Sequence, residues 1–409
     1  MKSAGSIESD SLQPSQNATG RIPELDGLRG LAILLVILCH YVGQSEHAPV
    51  GLWGHRFLAL FSAGWTGVDL FFVLSGFLIG GILLNARDAP HYFRAFYMRR
   101  VFRILPIYYV WTLLFGVVVL AAIHFFPGRL TVSAHDLIRI PVQLAFLQNI
   151  FIGTPRFAWI WFGVTWSLAV EEQFYLVAPP LIRFLTPRRL VFTLGAILCA
   201  APVLRLLTFR YMNEGTYVAF FFMPCRADSL AWGVLLAAGW RESWFREYVR
   251  RNGANLSRAL LILFLGVGGL LWWLIHPTSW VTISIGFSWL AIFYSALLLA
   301  VVSGSVGWLA KLMRWRFLVW LGGVSYCVYL LHVSFNYFVH QVFLRADPQI
   351  YNARGVGLSV LALAMTLAVA KLSERYFEKP LIRRGHSYSY EESRSVTGVL
   401  ASSDARLKE

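Results

Sequence analysis

The chain has 409 residues, of which 57% are hydrophobic, 16% aromatic and only 14% charged. A soluble domain carries about a quarter charged residues, so a surface made mainly for water is excluded. The net charge of +15 sits in short loops between apolar runs, as in anchoring to an anionic leaflet, and not in a basic soluble region suited to nucleic acid.

Residues 1–20 are polar and rich in Ser, Gln and Asn; they read as a disordered tail rather than a signal peptide. Ten stretches of about 20 apolar residues, enough to span a bilayer, follow in order: Leu25–Gly43, Trp65–Leu84, Ile104–Ile123, Thr165–Leu185, Leu190–Leu207, Val218–Trp240, Ala259–His276, Val281–Val302, Phe317–His340 and Val356–Tyr376. They predict an all-α polytopic bundle forming one membrane domain over residues 21–383, with a disordered tail over 384–409. The stretch Leu137–Phe151 is too short and interrupted to span, which suits an interfacial or re-entrant segment. Basic residues concentrate in alternate loops, around Arg94–Arg103, Arg183–Arg189, Arg241–Arg258 and Lys311–Arg316. The positive-inside rule then places both termini in the cytoplasm. Cys39, Cys199, Cys225 and Cys327 lie in apolar segments without CxxC spacing, which argues against a disulfide framework or a zinc site, and no metal is expected.

Charged groups inside membrane helices are expensive and mark candidate sites. The first span holds Arg29 and His40, about 16 Å apart along a helix, with Arg29 at the cytoplasmic end. Asp69 and Glu171 fall at a depth similar to His40 on other spans, while Arg100 and Arg103 join Arg29 at the mouth. Ser75, Arg226, Asp228 and His332 lie nearer mid-membrane. A basic mouth can hold the phosphates of a nucleotide-bearing donor. A histidine beside a carboxylate can take the proton of an attacking hydroxyl. Each residue also has a plainer reading. His40 could be hydrogen-bonded between helices, Glu171 paired with Arg226, Asp69 fixing a turn, and the arginines membrane anchors. Ser75 reads better as close helix packing than as a nucleophile, and His332 is evenly balanced.

Seven ordered blocks resemble the acyltransferase 3 family of bacterial membrane O-acyltransferases. They are RIPELDGLRGLAILLVILCHY (Arg21–Tyr41), GVDLFFVLSGFLIG (Gly67–Gly80), RRVFRILPIYY (Arg99–Tyr109), TWSLAVEEQFYL (Thr165–Leu176), FFMPCRADSLAWG (Phe221–Gly233), GGVSYCVYLLH (Gly322–His332) and RYFEKPLIR (Arg375–Arg383). The resemblance implies acyl transfer, commonly of acetyl, from acyl-CoA to a hydroxyl of a cell-surface or exported carbohydrate or glycolipid, in the bacterial inner membrane among polysaccharide-assembly proteins. It implies His40, Glu171 and Asp69 as catalytic groups, Arg29, Arg100 and Arg103 for the donor, and Arg226, Asp228, Ser75 and His332 toward substrate. Some members carry an SGNH hydrolase-like domain; a stand-alone form without it is expected here. The rival readings are a transporter or flippase of a glycan or lipid-linked precursor, and an enzyme of lipid-linked sugar polymerisation or ligation.

Overall fold

The computed structural model describes residues 22–43, 52–125, 134–151, 163–273 and 279–391. The expected N-terminal tail, residues 1–20, lies outside them. Among the described residues every regular element is helical and there is no strand. The long helices are α1 (Pro23–Leu38), α3 (Gly67–Asn85), α4 (Tyr92–Phe125), α8 (Trp166–Phe184), α9 (Pro187–Tyr211), α11 (Met223–Arg241), α13 (Gly253–Trp273), α14 (Phe287–Ser303), α16 (Arg316–Leu344) and α17 (Ala353–Ser373). Between them lie the shorter α2 (Leu52–Ser62), α5 (Ala134–Ile138), α6 (Ile140–Leu144), α7 (Gln148–Phe151), α10 (Gly215–Phe221), α12 (Ser243–Arg251), α15 (Gly307–Met313) and the final α18 (Lys379–His386).

Among the described residues, eight helical segments, including Pro23–Gly43, Leu60–Asn85 and Arg316–Leu344, are long and apolar enough to cross a membrane. The two other expected spans are also helical. α13 has a shorter apolar stretch, Gly253–Gly269, and the last residues of its expected span lie outside the described chain. α8 carries Glu171, Glu172 and Arg183 within its 19 residues. Pro106, Pro179, Pro180 and Pro202 lie inside α4, α8 and α9, while others stand at helix starts. Pro23 and Pro187 stand in the first turns of α1 and α9, where no N–H is needed.

α1 packs against α16 on one side and α3 on the other, and α3 packs closely on α11. These contacts bring backbones together. A Cβ at Gly30 would stand 2.0 Å from the Leu318 carbonyl oxygen, and one at Gly322 only 1.9 Å from that of Asp26. Lipid offers no hydrophobic drive between helices, so small residues that let backbones approach decide which helices pair.

Buried ion pairs lock the same bundle. The Arg226 guanidinium donates to Asp69 at 2.6 Å, joining α11 to α3. Arg205 of α9 donates to Asp228 of α11 at 2.9 Å and to Ser288 of α14 at 2.6 Å. It also reaches the carbonyls of Ile283 and Cys225. All four charged side chains are essentially inaccessible.

The stretch Leu137–Phe151 forms no span; helices α5 to α7 fold it against α4 and α8. Its buried amides bond to their surroundings, except for Gln148 Oε1, which is buried without a partner. Tyr108 donates to Gln143 Oε1 at 2.6 Å, and Gln148 Nε2 donates to the Thr165 carbonyl at 2.8 Å. Asn149 and Gln173 exchange amide bonds of 3.0 and 2.8 Å. At the C-terminus, the chain is ordered beyond the expected boundary at 384. α18 runs to His386, and the Tyr388 ring stacks on Phe102 while its carbonyl accepts from Arg99 Nε at 3.0 Å. Ring and guanidinium contacts with α4 thus hold a polar segment that composition alone makes a tail. Residues 392–409 lie outside the described chain.

Two stability predictions follow from this packing. Gly322→Leu should cost at least about 3 kcal/mol, whereas Gly323→Leu, with open space around its Cβ, should leave the melting temperature in detergent near wild type. Asp69→Asn strands the Arg226 cation in the core and should cost about 3–5 kcal/mol; adding Arg226→Gln should recover part of that loss in the same melting assay.

Candidate active site

α1 ends at Leu38, and Cys39–Gly43 continue as a π-helical turn that carries His40. Such turns bond five residues back instead of four and recur at functional sites. His40 is half-buried, with Nδ1 2.9 Å from the Val36 carbonyl oxygen and 3.2 Å from Nε2 of His332. The two rings meet edge to face with centroids 4.9 Å apart. His332 is fully buried on α16. Its Nδ1 lies 3.1 Å from the Val328 carbonyl oxygen and 2.9 Å from that of Tyr329. Tyr41, next to His40, donates its hydroxyl to the His332 carbonyl at 2.9 Å. Two histidines 292 positions apart in sequence thus form one pair.

A polar group lies between this pair and the arginines. Tyr175 donates to Glu171 Oε2 at 2.9 Å, and Ser75 Oγ lies 3.0 Å from the Tyr175 hydroxyl oxygen, to which it can donate. One turn earlier on α8, Ser167 Oγ is 2.6 Å from the hydroxyl of Tyr329, the residue whose carbonyl faces the His332 ring. Arg29 is within electrostatic reach of Arg103, Tyr175 and Glu171, and Arg100 within reach of Arg103, Tyr175 and Glu172. The nearest carboxylate to Arg29 is Asp26, at 4.0 Å. Arg100 lies over the rings of Phe96 and Tyr175, at 5.8 and 6.0 Å. Its Nε, together with Glu172 Oε1 and Glu378 Oε1, is buried without a hydrogen-bond partner. Buried polar groups are normally paired, so a cluster with several unmet donors and acceptors is shaped to meet something further.

The structure brings Arg29, Arg100, Arg103 and Glu171 into one neighbourhood, with Ser75 at its edge. Asp69 stands apart from His40. Its Oδ1 takes up Arg226 and, at 3.3 Å, the Ser229 hydroxyl. Glu171 is bonded to Tyr175 and not to Arg226. Asp228 is held by Arg205, Ser288 and the Ser229 N–H at 3.0 Å. Arg226 lies 3.7 Å from the centroid of the Phe287 ring, and its Nε and Nη1 are buried without partners. No carboxylate hydrogen-bonds to either histidine of the pair among the described residues.

Sequence reasoning passed over two participants. Arg205 is a charge within a predicted span, the same signal that singled out Arg29. Tyr175 gave no signal beyond its place one turn after Glu171, since its role depends on which helix it meets. Among the described residues, no group of three His, Cys, Asp or Glu is placed to hold a metal.

A family model described as an acyltransferase domain, acyltransferase 3, matches residues 22–372. The peptidoglycan O-acetyltransferase OatA of Listeria monocytogenes is 29% identical over 395 residues, covering 89% of this chain and 56% of the relative. The O-acetyltransferase OatA of Staphylococcus aureus is 25% identical over 387 residues, covering 89% and 58%. The chain thus spans somewhat over half the length of these relatives. No solved structure matches it significantly. Its seven ordered blocks, its helical bundle and the match over nearly all of that bundle place the chain in the acyltransferase 3 family.

Proposed function

We propose that this protein is a membrane O-acyltransferase that moves an acyl group, in the first instance acetyl, from acyl-CoA to a hydroxyl of a cell-surface or exported carbohydrate. The observation that carries the proposal is the pairing of His40 with His332 inside the helix bundle, at 3.2 Å, with a cluster of arginines further along α1 and α4.

In this reading, the phosphates of the donor bind Arg29, Arg100 and Arg103, and the Nε of Arg100 is buried without a hydrogen-bond partner. Guanidinium groups suit this role because they present several donors to each phosphate. The pantetheine arm then runs past Glu171, Tyr175 and Ser75 toward His40. His40 takes the proton of the acceptor hydroxyl as its oxygen attacks the thioester carbonyl. The C–S bond breaks, the acyl group becomes an ester on the sugar, and His40 returns the proton to the CoA thiolate. Arg226 and Asp228 stand on the α3–α11 side, where their charges support the bundle and bound substrate. Asp69 acts through Arg226.

The acceptor is a carbohydrate because the named relatives are O-acetyltransferases, one of them of peptidoglycan. A bacterial inner membrane with both termini cytoplasmic fits the placement of the basic loops. The donor site then opens to the compartment that holds acyl-CoA.

The test is release of free CoA thiol from acetyl-CoA by detergent-purified protein, with and without a cell-envelope glycan fraction. Wild type should release thiol in a glycan-stimulated manner, and His40→Ala should lower the rate by about 100-fold to 10,000-fold while eluting as a folded monodisperse species. Arg100→Ala should chiefly raise the KM for acetyl-CoA. No release by well-folded wild type with acetyl-, propionyl- or succinyl-CoA would contradict acyl transfer and favour transport.

A further inference from the structure

The hydrogen-bond partners of the two histidines assign their protons, and that assignment gives His332 a role. His332 Nδ1 faces only acceptors, the carbonyl oxygens of Val328 and Tyr329 at 3.1 and 2.9 Å. A neutral imidazole has one N–H and one lone pair, so the proton of His332 stands on Nδ1 and its Nε2 is a lone pair. His40 Nδ1 faces that lone pair at 3.2 Å and the Val36 carbonyl oxygen at 2.9 Å. Both are acceptors, so Nδ1 of His40 carries its proton. Nε2 of His40 is left as the lone pair. The reverse arrangement would set lone pairs against carbonyl oxygens at both rings.

We infer that His332 is the positioning residue of the site: its Nε2 lone pair holds the His40 N–H, fixes the tautomer and ring orientation, and leaves His40 Nε2 as the base. This rests on the acyltransferase reading and deepens it. In a triad of the serine-hydrolase kind, a carboxylate fills this place. Here Asp69 is occupied by Arg226 and Glu171 by Tyr175, and a second imidazole stands where that carboxylate would. When the acceptor O–H bond breaks, its proton goes to His40 Nε2. The resulting imidazolium keeps its Nδ1 proton, directed at His332 Nε2 and the Val36 carbonyl. His332 takes no proton and stays neutral through the cycle. After the C–S bond breaks, His40 Nε2 delivers its proton to the thiolate, and the pair is reset.

His332 is itself held from several sides. Two carbonyls of its own helix fix the ring, Tyr41 donates to its backbone carbonyl at 2.9 Å, and the Tyr329 ring lies 5.8 Å from it. Its complete burial keeps water from competing for the lone pair.

The test combines kinetics with the nitrogen NMR of 15N-histidine-labelled full-length protein, the His40 signals assigned by their loss in His40→Gln. Wild type should show His40 with Nδ1 protonated and Nε2 unprotonated. His332→Phe removes the acceptor and should lower kcat by about 100-fold, with the KM for acetyl-CoA within twofold of wild type. His332→Gln can place an amide oxygen near the Nε2 position and should recover at least a tenth of wild-type kcat. His332→Asn, too short to reach it, should resemble His332→Phe. Equal kcat in wild type and a folded His332→Phe, or His332→Gln as inactive as His332→Phe with folding intact, would overturn the role. So would a His40 signal with Nδ1 unprotonated. The NMR arm needs no turnover: a protein without acyl transfer but with the assigned tautomer would sink the acyltransferase reading and leave the histidine pair standing.

Discussion

The close approach of α1 to α16 is the constraint on which the rest of the molecule depends. Where Gly30 meets the Leu318 carbonyl and Gly322 meets that of Asp26, no side chain larger than hydrogen fits. Bringing the two backbones so near fixes the register of one helix on the other, and that register sets His40 against His332 some three turns further along. The π turn at Cys39–Gly43 then presents the His40 ring at the end of α1. A shift of either helix by one residue would turn one histidine about 100° away and dissolve the pair. The stripe of small residues and the histidine contact are therefore parts of one device.

Polar groups within an apolar bundle divide here into two kinds. The pairs Arg205–Asp228 and Arg226–Asp69 are short, nearly inaccessible and spread over α3, α9, α11 and α14. Such charges are costly to bury and costlier to separate, so they lock which helices adjoin. The Arg29, Arg100, Arg103 and Glu171 group is different. Within it Arg100 Nε and Glu172 Oε1 are buried without a hydrogen-bond partner. A closed pair stabilises a fold, whereas a cluster with unmet donors and acceptors leaves room for a further partner. Arg226 stands between the two kinds, since it pairs with Asp69 and still keeps unmet donors.

Much of this was legible in the sequence, for a physical reason. Apolar runs of span length can do little else than form membrane helices, so all ten appear as helices over the described residues. A charge in such a run stands out against its surroundings, which is why Arg29, His40, Glu171 and His332 could be singled out from one chain. Partnership was not legible. Depth along a helix can be counted, but the face it turns to a neighbour depends on glycine contacts and crossing geometry between residues hundreds of positions apart. Depth alone therefore grouped Asp69 with His40, although Asp69 faces α11 and Arg226. The same gap hid the place of Tyr175, and it left His332 read only toward substrate, without sight of its ring against His40. The segment from 384 to 391 was misjudged from composition, because Tyr388 and Tyr390 are held by Phe102 and Arg99 of a distant helix.

The most direct test of the account follows the acyl group itself. Wild-type protein in liposomes, given acetyl-CoA labelled in the acetyl carbons together with an envelope glycan fraction, should place the label on the glycan as a base-labile ester, with one CoA thiol released per ester formed. Release of thiol without label on the glycan, or glycan crossing the bilayer unmodified, would contradict it.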